Sequence, residues 1–186
     1  MAKQFDGIDA ALAEWIRAQK LFFVASAPLA AGGHVNLSPK GLDSLAILGP
    51  REVAYVDFVG SGAETIAHLR ENGRITLMWC AFEGPPRIVR LHGRGEVVEP
   101  GDADFSELVR RFPARDGVRA VLRISLRRIS DSCGYGVPRM RFEGERTQLD
   151  AWVERKGADG LRRYQLEHNT RSLDELPALR AGTLRA

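Results

Sequence analysis

The chain has 186 residues, 44% of them hydrophobic and 27% charged, with a formal net charge of +3. This size suits one domain, which hides roughly 70% of the extended chain's surface on folding and needs no disulfide or metal staple. Two cysteines, Cys80 and Cys133, exclude a disulfide framework, and the longest apolar stretch falls well short of the ~20 residues that span a bilayer.

Ile8, Leu12, Trp15, Ile16 and Gln19 recur at helical spacing, which predicts an amphipathic helix ending near Lys20. A β-rich run follows at 21–27, closed by Pro28 and the Gly32-Gly33 turn. Residues 34–38 predict a second strand halted by Pro39-Lys40-Gly41, 44–48 a third, and 52–59 a fourth. In the fourth, Val53, Tyr55, Asp57 and Val59 face one way and Ala54, Val56 and Phe58 the other. A short helix over 62–72 turns Ile66, Ala67 and Leu69 inward and stops at a left-handed Gly73. Next come a strand at 75–81 and a long strand at 87–99, kinked at Gly93 and Gly95. A helix over 102–111 precedes a second long strand at 118–132, with Ala120, Leu122, Ile124 and Leu126 on one face and Arg123, Ser125 and Arg127 on the other. The helical period returns over 148–168, and the tail from Ser172 to Leu179 forms a short capped turn. About seven strands with one small helix between the fourth and fifth predict an antiparallel barrel, not a parallel α/β sheet.

Four segments carry candidate chemistry. Gly60-Ser61-Gly62-Ala63-Glu64-Thr65 leaves a strand and enters a helix, and Ser61 with Glu64 has capping-box spacing. The first N–H groups of a helix lack intrahelical partners and carry partial positive charge, so this corner outlines a phosphate site. An ordinary capped helix accounts for the same hexapeptide. Asn36-Leu37-Ser38-Pro39-Lys40-Gly41 sets hydroxyl and ammonium groups at a barrel mouth, where Lys40 faces either a ligand or solvent. Arg90, His92 and Arg94 share a strand face and repel one another unless an anion answers them, with Glu96 as the internal answer. In Cys133-Gly134-Tyr135-Gly136-Val137-Pro138 a tyrosine between glycines can lie against a flat ligand or cap a surface turn.

Other chemistries find less support. The four histidines show no paired ligand spacing and neither cysteine has a C-x-x-C partner, so no metal site is expected. Cys133 beside arginines is either a low-pKa thiol or, more ordinarily, a buried structural cysteine. Trp15 and Trp79 read as core. Arg110 to Arg146 holds ten arginines and four acids, enough charge for a nucleic-acid groove, but only Tyr135 and Phe142 interleave the arginines from Arg119 onward. Neither nucleic acid nor a membrane is expected as a partner. The opening residues lack an apolar signal core, which predicts a soluble, cytoplasmic protein.

Taken in order, these segments resemble the pyridoxamine 5′-phosphate oxidase-like superfamily of FMN-binding split barrels, in a branch apart from the vitamin-B6 enzyme itself. The resemblance rests on Val35-Asn-Leu-Ser-Pro-Lys-Gly-Leu-Asp, Val56-Asp-Phe-Val-Gly-Ser-Gly-Ala-Glu-Thr, His68-Leu-Arg-Glu-Asn-Gly-Arg-Ile-Thr-Leu-Met, Arg87-Ile-Val-Arg-Leu-His-Gly-Arg-Gly and Cys133-Gly-Tyr-Gly-Val-Pro. It implies a mainly β antiparallel split barrel with flanking helices, the barrel over about 21–145 and a C-terminal helical extension over about 146–186 of one domain. It further implies a homodimer with FMN at the subunit interface and flavin-dependent oxidoreductase activity on a small molecule. A non-catalytic FMN carrier or sensor, or a split barrel holding heme or a deazaflavin, is the alternative. By position, Ser61, Gly62 and Thr65 would hold the phosphate with help from Arg90. Asn36, Ser38 and Lys40 would line the ring and ribityl chain, and Tyr135 and Gly136 would close the ring from the partner subunit. The tail from Trp152 to Leu179 lacks the arginine-rich substrate motif of the vitamin-B6 oxidase.

Overall fold

A computed structural model of the chain describes residues 3–185; Met1 and Ala2, part of the opening stretch considered above, and Ala186 lie outside the described residues. The elements are β1 (Gln4–Phe5), α1 (Ala10–Ala18), β2 (Phe22–Ser26), β3 (Asn36–Lys40), β4 (Leu45–Gly49), β5 (Glu52–Phe58) and α2 (Glu64–Glu71). They continue with β6 (Arg74–Cys80), β7 (Ile88–Val98), α3 (Phe105–Val109), β8 (Val118–Ser132), α4 (Gln148–His168) and α5 (Ala181–Arg185). All strand pairings are antiparallel, in the order β3-β2-β6-β7-β8-β5-β4, with β1 added beside β8.

Alternation along the strands sets the core. Val24, Leu77, Leu91, Leu122, Ile129 and Tyr55 turn to one face of the sheet and are fully buried. Leu12 and Ile16 of α1 and Ile66 and Leu69 of α2 close over them. The helix α1 starts where predicted because the Asp9 carboxylate accepts from the Leu12 N–H at 2.8 Å, capping its first turn. On the opposite face, Ala54, Val56 and Val121 pack against Leu108 and Phe112 beside α3. Trp79 is core, as expected, while Trp15 is half-buried with the Arg87 guanidinium 5.0 Å over its ring.

The predicted kink in the second-last strand is a register shift between His92 and Gly93. A side chain at Gly95 would meet Leu69 of α2 at 2.8 Å, so this glycine lets the helix seat on the sheet.

Three expectations need correction. The strand after the Gly32-Gly33 turn runs through Pro39 and Lys40 instead of stopping before them. β3 is the last strand in the sheet order, and an edge strand tolerates a residue that donates no ladder hydrogen bond. The two-residue β1 brings the strand count among the described residues to eight. The final long helix is not continuous, because Gly157 takes φ 63°. Trp152 and Tyr164 lie twelve residues apart, about 18 Å in a straight helix, yet their rings meet edge-to-face at 5.1 Å. The chain therefore folds back on itself at Gly157.

The tail then returns to the barrel. Asn169, fully buried, donates to the Gly60 carbonyl at 2.9 Å, and Arg70 donates to the Ala178 carbonyl at 2.6 Å. Glu99, also buried, accepts from Arg70 and from the Arg180 backbone. No helix among the described residues is long and apolar enough to cross a membrane.

Candidate functional site: an anion cradle at the β5–α2 corner

The corner singled out in the sequence opens onto a cavity of about 320 Å³. Ser61, Gly62 and Thr65 form one wall, and Ser38 and Lys40 on the edge strand form another. Asp57 and Arg119 form the floor. Five of the nine predicted site residues thus meet in one place. A sixth, Asn36, joins them through a short relay: Ser38 Oγ donates to Asn36 Oδ1 at 3.2 Å, and Asn36 Nδ2 donates to Thr65 Oγ1 at 2.9 Å. The relay ties β3 to the first turn of α2.

The corner is built differently from the capping box expected. The N-cap is Ala63, which has no side-chain cap bond, and Glu64 is the first helical residue. Ser61 stays exposed on the approach. Beginning the helix this late leaves the N–H groups of Ser61, Gly62, Glu64 and Thr65 without an acceptor in the described chain. Unused donors at the positive end of a helix are what an anion needs. Glu64 works against this, since its carboxylate folds over Gly62 and accepts the Leu173 N–H at 3.3 Å.

The floor holds the site's charge. Asp57 is 1% exposed; its two oxygens accept from Lys40 Nζ at 2.7 Å and from Arg119 Nε at 2.8 Å. Burial pushes the Asp57 carboxyl up, but the Arg119 guanidinium and then the Lys40 ammonium overcome this and hold it below its ordinary value. Two cations on one carboxylate leave one positive charge in surplus in the floor, facing the Glu64 carboxylate of the wall. Arg119 is itself 7% exposed, and its Nη1 is buried with no hydrogen-bond partner.

Sequence reasoning missed Arg119 and gave Asp57 no role. Strict alternation from Ala120 turns Arg119 away from the core, but β5 and β8 shift register at this point: Asp57 pairs with Ala120, and Phe58 with Val118. Arg119 is the extra residue of a β-bulge, and the bulge re-aims its side chain at Asp57. The available signal was Asp57 itself, a carboxylate on the apolar face of β5 that demands a cation.

The other predicted residues lie elsewhere. Arg90 aligns across the sheet with Met78, Phe23 and Pro39, on the face opposite Lys40, and donates to Ser132 Oγ at 3.0 Å. It does not reach the cradle of its own chain. His92 bonds Thr76 through Nδ1 at 3.0 Å, and burial followed by the nearby Arg128 and Arg90 charges pushes its pKa down. Arg94 donates to the Asn72 carbonyl at the end of α2, and Glu96 pairs with Arg123, so Glu96 does not answer the β7 cations. Tyr135 is 83% exposed in a turn after β8, and Gly136 beside it has open space around its Cα. They follow Ser132, whereas the cradle adjoins Val118 at the other end of the strand, about 46 Å away along the extended chain. Cys133 is exposed, not buried, because it leaves the sheet at this turn; Cys80 is the buried cysteine.

An antiparallel sheet with a cation-floored cavity at a strand-to-helix corner defines a split-barrel class. Residues 8–133 match the family described as pyridoxamine 5′-phosphate oxidase. An Aspergillus flavus protein described as the pyridoxamine 5′-phosphate oxidase family protein ustO is 42% identical over 192 residues, covering 94% of this chain and 77% of its own. The chain belongs to the pyridoxamine 5′-phosphate oxidase family. Among solved structures, a Lactobacillus delbrueckii protein described as a candidate pyridoxamine 5′-phosphate oxidase superposes with a TM-score of 0.52 at 14% identity, covering 68% of this chain and 98% of its own. A Group A Streptococcus HupZ variant gives 0.52 at 23% identity, covering 67% and 99%. At these identities the likeness is one of fold, and the fold is the split barrel.

Proposed function

We propose that the chain binds FMN as a homodimer and serves as a flavin-dependent oxidoreductase for a small molecule. The observation that carries this reading is the buried, unpartnered Arg119 Nη1 beside the free amides of the β5–α2 corner. A buried guanidinium with an open donor is costly unless an anion completes it. A phosphate monoester supplies the acceptor oxygens, and Ser61 and Thr65 add hydroxyls. Lys40, Ser38 and Asn36 lie on the side from which a ribityl chain and ring would extend. A bound flavin would accept hydride from a donor; the chain's part is to hold the phosphate, orient the ring and keep water from it.

The homodimer is supported by geometry within one chain. The cradle and Tyr135 lie at opposite ends of β8, so one flavin meets both only when a second copy brings its own Tyr135. Phe23, Met78 and Ile88 are only half-buried in one chain, on the sheet face that also carries Arg90, and this is the face a partner would cover.

A second reading, an FMN carrier without turnover, draws support from Lys40. Its ammonium is already clamped by Asp57, and the Glu64 carboxylate, the other titratable group lining the cradle besides Arg119, accepts the Leu173 N–H. The visible spectrum of the purified or FMN-reconstituted protein, with the released ligand weighed, tests binding. Flavin absorbance and an FMN mass are expected, and a colourless protein that cannot be reconstituted contradicts the proposal. Bleaching by reduced nicotinamide, with re-oxidation by an acceptor, separates enzyme from carrier.

A further inference from the structure

A second cavity, of about 450 Å³, opens between the end of α1 and strand β4. It shares no lining residue with the cradle, although the two meet the chain at the consecutive residues Lys40 and Gly41. Its apolar wall includes Phe22 and Trp79, stacked with ring centroids 5.5 Å apart and 27° between planes. Arg17, Lys20 and Arg111 stand exposed around it, against one carboxylate, Asp43. Arg111 reaches only a weak internal partner, Glu107 at 3.8 Å.

Two further observations point to a ligand. Ser44 lines this cavity, is 2% exposed, and its hydroxyl has no hydrogen-bond partner. Its backbone is fixed, the N–H by the Gly41 carbonyl at 3.3 Å and the carbonyl by the Val56 N–H at 2.9 Å. Native proteins rarely leave such a group unpaired, and here the residue that carries it lines a cavity. The chain before Ser44 also takes an unusual form, with Leu42 at φ 63° and Asp43 at φ 50°. Two successive non-glycine residues in the left-handed region persist only where surrounding structure holds them, and such strain gathers at ligand sites.

We infer that this cavity binds a small organic acid: an aromatic or branched apolar body against Phe22 and Trp79, its carboxylate met by Arg17, Lys20 and Arg111, and a second polar atom bonded to Ser44. The inference does not depend on the flavin, because none of these residues belongs to the cradle.

Tryptophan quenching by 4-nitrobenzoate and by its neutral isostere 4-nitrobenzamide tests it on the FMN-reconstituted protein and on the protein without FMN. The acid is expected to quench saturably, at least tenfold more tightly than the amide, and equally well with FMN present. The double variant Arg17→Glu, Arg111→Glu changes two exposed residues; it is expected to keep its melting temperature and lose the tenfold preference. Absence of saturable quenching, equal binding of acid and amide, an unchanged preference in the double variant, or one-for-one displacement of the acid by FMN would each overturn the inference.

Discussion

Arg119 donates from Nε to the buried Asp57 carboxylate at 2.8 Å while its Nη1 reaches no acceptor, so the same side chain completes one charge and leaves an opening for another. Lys40 fills the other carboxylate oxygen at 2.7 Å and lies 5.9 Å over the Tyr55 ring. Removing the carboxylate strands two cations in the floor of the cradle. Asp57→Asn is therefore expected to cost about 3–5 kcal/mol of stability, measured by chemical denaturation. A loss below 1 kcal/mol would mean that the cations relax into solvent.

The same pair sets an acid limit. Asp57 has a folded pKa below its unfolded value of about 3.9. Its contribution is thus fully present above the unfolded pKa and is lost as pH falls through the folded one. Wild-type stability is expected to drop below about pH 4 more steeply than that of Asp57→Asn. Parallel acid limbs in the two proteins would show that Asp57 is not the group responsible.

Glu64 places a negative charge at the helix end that an incoming phosphate must share. Charge at a helix terminus is worth about 0.3–1 kcal/mol. Glu64→Gln should tighten FMN about two- to five-fold, read by flavin fluorescence quenching, and weaker binding would assign Glu64 a positive role.

How far the site was legible depended on whether local chemistry or long-range pairing placed each residue. The two faces of β5, the span of β8 and the Gly60–Thr65 corner all follow from alternation and turn residues, and the structure has them. Arg119 was hidden because its orientation comes from a bulge that no glycine or proline announces; only its pairing with β5 creates it. The separation of Arg90 from the cradle of its own chain was hidden for a related reason. The charge of Arg90 is visible in the sequence, but which face of β7 it takes relative to Lys40 is set by three strands of lateral pairing. The break in α4 had a local signal, glycines at 157 and 160, which the helical period on either side masked.

Asn169 holds the corner from behind through its bond to the Gly60 carbonyl. Asn169→Ala leaves that carbonyl without its donor, a loss of about 1–3 kcal/mol in a buried setting. The variant should melt earlier and bind FMN more weakly, and it should regain flavin affinity as Asn169→Gln only if the longer amide still reaches Gly60. Unchanged melting and binding would show that the tail does not brace the cradle.

A shared site predicts complementation. Arg119→Ala disables the cradle, and Tyr135→Ala disables the turn offered to a partner. Mixed and refolded together, the two variants form heterodimers with one intact site, so flavin content should rise toward one site per mixed dimer. No recovery on mixing, with dimers present by sedimentation, would place each flavin within one chain.

The relative affinity for FMN and riboflavin addresses the cradle most directly, because the two ligands differ by the phosphate alone. Charge-assisted hydrogen bonds of about 1.5–3 kcal/mol each predict that wild type prefers FMN by at least about 100-fold, and that Arg119→Gln lowers this preference below about 10-fold. Equal affinity of wild type for both flavins would contradict the account.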